Sequence, residues 1–206
     1  MFKSRSTILA ILILLSFILL AIFVSNNPIN EFDISISRFV QQYRNTNLDQ
    51  LMIWISAFGN VAVAFVAIVI TSLLFYIFKY KREALFIVAI SFTGLITLSL
   101  KFLFSRPRPT NQHVTLIESY QNHSFPSGHT LSYVVFFGFL IVLMQQLKSI
   151  PTYLRNIISL FAYFMFIVGP LSRIYLGAHW FTDIIGGLLI GLLYLIFLIY
   201  CYRKSK

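Results

Sequence analysis

Six stretches of this chain are long and apolar enough to lie across a lipid bilayer, and no other feature restricts its fold so tightly. They run from about Thr7 to Val24, Val61 to Phe78, Ala84 to Phe104, Thr130 to Leu147, Ile157 to Leu171 and Ile184 to Tyr202. A helix needs about 20 apolar residues to cross the hydrocarbon layer, and each of these runs meets or approaches that length. A spanning segment must satisfy its own backbone hydrogen bonds, so the runs predict an all-α fold, a bundle of six transmembrane helices. Only 11% of the residues are charged, against about 25% in a soluble globular domain. The first run follows Lys3 and Arg5 as in a signal peptide, but no small-x-small cleavage site follows it; it reads as an uncleaved span. Residues 1–206 are expected to form one integral-membrane domain, without a repeat or a second unit.

The net charge is +10, from 16 Lys+Arg against 6 Asp+Glu. The cations sit in short loops between apolar runs, which points to a membrane surface and away from nucleic acid. With both termini cytoplasmic, ten of the sixteen cations fall inside: Lys3, Arg5, Lys79, Lys81, Arg82, Lys148, Arg155, Arg203, Lys204 and Lys206. The six outside are Arg38, Arg44, Lys101, Arg106, Arg108 and Arg173, and half of those belong to motifs described next. The positive-inside bias therefore predicts cytoplasmic termini and an outer-surface site. Between the first two spans, Asn30–Gln50 carries Phe32, Ile36, Phe39, Val40 and Tyr43 at helical spacing. It is expected to be an amphipathic helix along the outer surface, either packing between spans, the favoured reading, or guiding substrate. Cys201 is the single cysteine; it excludes an intramolecular disulfide and reads as an apolar filler.

Three motifs fall on the predicted outer face: Lys101-x6-Arg108-Pro109, Pro126-Ser127-Gly128-His129 and Ser172-Arg173-x5-His179-x3-Asp183. His179 and Asp183 are four apart, hence neighbours on a helical face. A carboxylate that accepts the imidazole Nδ1–H fixes the tautomer and frees Nε2 as a nucleophile. Pro126 and Gly128 make a sharp turn at the start of the fourth span, where backbone N–H groups face an anion and Ser127 adds a hydroxyl. His129 is placed there to act as a general acid beside a leaving oxygen. Lys101, Arg108 and Arg173 supply cations, and a guanidinium can grip two phosphoryl oxygens. Arg106-Pro107 duplicates Arg108-Pro109, but the six-residue gap selects Arg108; Arg106 reads as a spare surface cation or a headgroup contact. His113, His123 and Glu118 read as solvated loop residues.

These motifs resemble those of the type 2 phosphatidic acid phosphatase superfamily, in particular its six-span bacterial lipid phosphatases. The likeness covers about Met52 to Tyr202, and all three signatures are present without a departure. It implies that His179 is a nucleophile forming a phosphohistidine and that Asp183 orients it. His129 would serve as acid and then base, and Lys101, Arg108, Ser127, Gly128 and Arg173 would bind the phosphoryl group. The expected activity is metal-independent hydrolysis of a lipid phosphomonoester or diphosphate. Phosphatidylglycerophosphate, undecaprenyl diphosphate and phosphatidate are the candidate substrates. No cofactor, metal site, nucleic acid or obligate protein partner is expected; the partners are the bilayer and its lipid. Soluble vanadate-dependent haloperoxidases share this kind of site, but six spans argue against that reading. A lipid transporter or channel would place ionisable groups nearer the membrane midplane than the span ends seen here.

Overall fold

The structure, a computed structural model, describes residues 2–205. Met1 and Lys206, and the side chains of residues 2–6, lie outside the described residues, so the expected cytoplasmic cations Lys3, Arg5 and Lys206 are not placed. The described residues fold into helices alone: α1 (Phe2–Asn26), α2 (Glu31–Gln41), α3 (Thr46–Ala57), α4 (Val61–Ile77), α5 (Lys81–Ala89), α6 (Phe92–Phe104), α7 (Gly128–Gln146), α8 (Thr152–Tyr175) and α9 (Phe181–Lys204).

Five segments are long and apolar enough to cross a membrane: Thr7–Asn26, Lys81–Phe104, Gly128–Gln146, Thr152–Tyr175 and Phe181–Lys204. The second of these joins α5 and α6. A sixth is reached when α3 and α4, bent by 58° at their junction, count as one span. At 1.5 Å per residue the 17 residues of α4 reach only about 25 Å, short of the roughly 30 Å hydrocarbon layer. The missing length comes from α3.

The central helix is α7. One side of it packs Leu131, Val135, Phe139 and Leu143 against Leu195 and Leu198 of α9 and Ile87 of α5. The other side sets Tyr133, Phe137 and Ile141 against Ala162 and Met165 of α8 and Ile55 of α3. Gly187 and Gly191 of α9 meet α7 directly; helices in lipid associate through such close contact, because their apolar surfaces gain nothing by leaving the hydrocarbon. The outer helices turn large apolar side chains outward, Leu19 at 68% and Leu160 at 73% exposure. A soluble protein rarely tolerates such a continuous apolar surface.

The segment expected to be one amphipathic helix is two. Asn30 caps α2 by accepting from the Asp33 N–H, and Asn45 caps α3 by accepting from the Leu48 N–H. Asparagine at these positions stabilises a helix start. On α2 the large apolar residues Phe32 and Phe39 face outward, while Asp33 and Ser37 are buried. The packing face of the helix, set against α8 and α9, is thus mixed, with Ile34 buried beside Asp33 and Ser37.

Candidate active site

The site forms where the last turns of α6 and α8 and the first turns of α7 and α9 converge with the 105–127 loop. At the end of α6, Ser105 takes a left-handed conformation, and Pro107 and Pro109 forbid further helix. Phe125, fully buried against Phe17 and Phe104, fixes the loop just before the Pro126 turn. After α8, Gly177 at φ +71° reverses the chain; a Cβ there would lie 2.4 Å from the Thr115 carbonyl. Only glycine fits this left-handed, crowded position, and it delivers His179.

His179 is almost fully buried. Its Nδ1 lies 3.2 Å from Asp183 Oδ2 and its Nε2 lies 3.3 Å from Arg108 Nη1. The carboxylate therefore assigns the proton to Nδ1 and leaves the Nε2 lone pair facing Arg108. Burial, followed by the nearby charges of Arg108, Lys101 and Arg173, holds the imidazole well below its ordinary pKa. The ring is neutral at physiological pH, as a nucleophile requires. Asp183 also accepts from the Trp180 N–H at 2.9 Å, so it caps α9 while it holds the ring.

Arg108 donates to the carbonyls of Ala178 and Asn122, both at 2.6 Å, and to the Asn122 side chain. Desolvation lowers its pKa to about 10, which leaves it charged. Lys101 reaches the His123 carbonyl. Arg173 is fully buried; its Nη1 donates to Ser56 Oγ and, at 2.7 Å, to Glu118 Oε2. Its Nε and Nη2 have no hydrogen-bond partner among the described residues, and the guanidinium lies 5.0 Å from the centre of the Tyr120 ring. His129 Nε2 lies 3.1 Å from Asn60 Oδ1, at the bend between α3 and α4. A Cβ on Gly59 would fall 2.3 Å from the His129 ring, so that bend is shaped around the imidazole. Ser127 is fully buried; its Oγ caps α7 by accepting from the Thr130 N–H at 3.3 Å.

A cavity of about 430 Å³ lies against several of these groups. Lys101, Arg108, Gly128, His129 and His179 line its polar end. The rest is apolar and descends between α4, α6 and α7, past Ala64, Phe65, Ile68, Thr97 and Leu98. Ser127, Arg173 and Asp183 are buried and do not line it.

Arg106 and Glu118, and in part His113, stand elsewhere than the sequence suggested. Arg106, expected to be a spare surface cation, is 2% exposed and donates to Asp183 Oδ1 at 2.6 Å and Asp33 Oδ2 at 2.7 Å. Two carboxylates from distant parts of the chain repay its desolvation; removing one partner from such a buried set costs about 3–5 kcal/mol. Glu118, expected to be a loop charge, is the counter-ion of Arg173. His123 is exposed, as expected for a solvated loop residue, but its carbonyl serves the site. His113 is half-buried: its ring packs edge-on to Trp180, and its carbonyl accepts from Arg38 at 2.9 Å.

A membrane-embedded helical bundle with a cation-rich pocket around a carboxylate-backed histidine has the architecture of an integral-membrane phosphatase. Comparison with known proteins agrees. The PAP2 superfamily profile matches residues 82–206, and the chain belongs to that superfamily, among its lipid phosphatases. It is 27% identical over 180 residues to phosphatidylglycerophosphatase B of Bacillus subtilis (strain 168), covering 87% of each chain. It is 28% identical over 188 residues to the undecaprenyl-diphosphatase of Sulfolobus acidocaldarius, covering 87% of this chain and 84% of that one. Its fold matches the crystal structure of the transmembrane PAP2-type phosphatidylglycerolphosphate phosphatase from Bacillus subtilis with a TM-score of 0.83 and 25% identity, over 96% and 97% of the two chains.

Proposed function

We propose that this protein removes a phosphate from a membrane lipid at the outer membrane surface, without a metal ion, through a phosphohistidine on His179. The observation that carries this reading is the two-part cavity, whose cationic mouth holds His179 and His129 and whose apolar depth opens among the spans. Such a cleft suits a molecule with a phosphorylated head and hydrocarbon tails. Phosphatidylglycerophosphate, undecaprenyl diphosphate and phosphatidate all fit that description.

In the first step His179 Nε2 forms a bond to phosphorus while the bond from phosphorus to the leaving oxygen breaks. His129 protonates that oxygen as it departs as an alcohol or a lipid phosphate. In the second step His129 takes a proton from water, the water oxygen bonds to phosphorus, and the P–N bond breaks to release inorganic phosphate. Asp183 stabilises the imidazole as positive charge develops on it. Phosphoryl transfer depends chiefly on positioning and charge stabilisation. Lys101 and Arg108 provide the charge at the cavity wall, and Arg173, buried behind it, adds a third cation. The turn presents the Gly128 and His129 N–H groups at the start of α7, while the Ser127 N–H is donated to the Asp183 carbonyl at 3.0 Å. The carboxylates nearest this centre are already committed to cations: Asp183 and Asp33 to Arg106, and Glu118 to Arg173.

Purified protein given these three lipids in EDTA should release phosphate at the same rate as with added Mg2+. A strict requirement for the divalent ion overturns the mechanism. The proposed orientation, termini inside and site outside, has its own test. In a Cys201→Ser background, Asn122→Cys should react with an impermeant thiol reagent on intact cells and Lys81→Cys should not; the opposite pattern inverts the topology.

A further inference from the structure

We infer that Arg106 and Asp33, neither of them a specified residue of the three motifs, are positioning residues that set the geometry and charge of the His179–Asp183 pair. The inference rests on His179 being the nucleophile. Asp183 divides its two oxygens: Oδ2 faces His179 Nδ1, and Oδ1 takes the Arg106 hydrogen bond at 2.6 Å. Arg106 fixes which oxygen the histidine meets. The guanidinium is itself held at every nitrogen: Nη1 also reaches Thr182 Oγ1 at 2.7 Å, Nη2 reaches Asp33, and Nε reaches the Pro28 carbonyl at 2.9 Å. Asp33 in turn accepts from the Thr182 N–H at 2.9 Å and the Thr182 hydroxyl at 2.7 Å. It thereby grips the first turn of α9 one residue before Asp183.

Charge explains why two carboxylates share one arginine. Arg106, Asp33 and Asp183 are all 2% exposed or less. A lone Arg106–Asp183 pair would spend the Asp183 charge on the guanidinium and leave the histidine facing a neutral group. With Asp33 as counter-ion for Arg106, the trio keeps one net negative charge, and the side chain carrying it outward is Asp183. That charge is what the ring needs as it becomes positive on phosphorylation. This network accounts for a buried carboxylate on the packing face of α2, next to Ile34.

The test compares the full-length wild type with Arg106→Gln, Asp33→Asn and the double variant in detergent, using dioctanoyl phosphatidate and p-nitrophenyl phosphate as probes. Arg106→Gln should lower kcat about 10- to 100-fold, as outer residues of a held catalytic group do, and leave KM within about threefold, because the phosphate ligands are untouched. Arg106→Gln leaves two buried carboxylates without a counter-ion, so its apparent Tm should fall; Asp33→Asn leaves a neutral Arg106–Asp183 pair, so it should lower kcat with a smaller change in Tm. The double variant leaves one such carboxylate, Asp183, instead of two, and should recover part of the Tm lost by Arg106→Gln while kcat stays low. A folded Arg106→Gln enzyme with wild-type kcat overturns the inference. So does a double variant that regains kcat together with Tm, since that marks a purely structural contact. If His179→Ala retains turnover, the nucleophile assignment itself fails and this inference fails with it, whatever the Arg106 variants show.

Discussion

His179→Ala should abolish turnover, on lipid and on p-nitrophenyl phosphate alike. Nε2 of this ring combines a lone pair, a carboxylate behind the opposite nitrogen and a cation at 3.3 Å, and it lines the cavity. His129 lines the cavity too, but its Nε2 is engaged with Asn60, a neutral amide, and no carboxylate backs its ring among the described residues. The loss is expected to reach the uncatalysed floor, since removing a nucleophile from a cooperating set costs about as much as removing the set. Asp183→Asn should cost less, about 10² to 10⁴-fold, because the amide can hold the ring in the wrong tautomer. Steady-state rates on protein of verified fold check both; near-native turnover by His179→Ala removes the assignment.

His129→Ala should separate the two halves of the reaction. An alkoxide is a poor leaving group, so the first step on an alkyl phosphate lipid should slow by about 10² to 10⁴-fold without the acid. p-Nitrophenolate departs without a proton, and the first step on that substrate should persist. The second step still lacks its base, so phosphoenzyme should accumulate and p-nitrophenol should appear as a burst followed by slow turnover. Equal losses on both substrates, without a burst, would mean that His129 binds phosphate and transfers no proton.

The bundle was legible because a bilayer demands long apolar runs, and those survive in a single sequence. The motif residues were legible because their spacings are local or end at helix boundaries. The missed contacts are of another kind. Arg106 meets Asp33 and Asp183 at separations of 73 and 77 residues, and nothing in an Arg-Pro-Arg-Pro run says which arginine turns inward. Scarcity was the usable signal. Of six acidic residues, Asp33, Asp49, Glu83, Glu118 and Asp183 each pair with an arginine. In a chain so poor in carboxylates, one near the membrane needs a partner. The division of Asn30–Gln50 was readable from Asn45, a favoured helix start. The apolar spacing of α2 marked its packing face only in part: Ile36 and Val40 are half-buried, while Phe32, Phe39 and Tyr43 face outward.

The central claim is a covalent phosphohistidine formed without metal. Acid-sparing quench of the enzyme with ³²P-labelled phosphatidate in EDTA, followed by peptide mapping, tests it most directly. The account predicts an acid-labile, base-stable label on His179, absent from His179→Ala and enriched in His129→Ala given p-nitrophenyl [³²P]phosphate. Label on a different residue, or labelling of wild type only when Mg2+ is supplied, would contradict it.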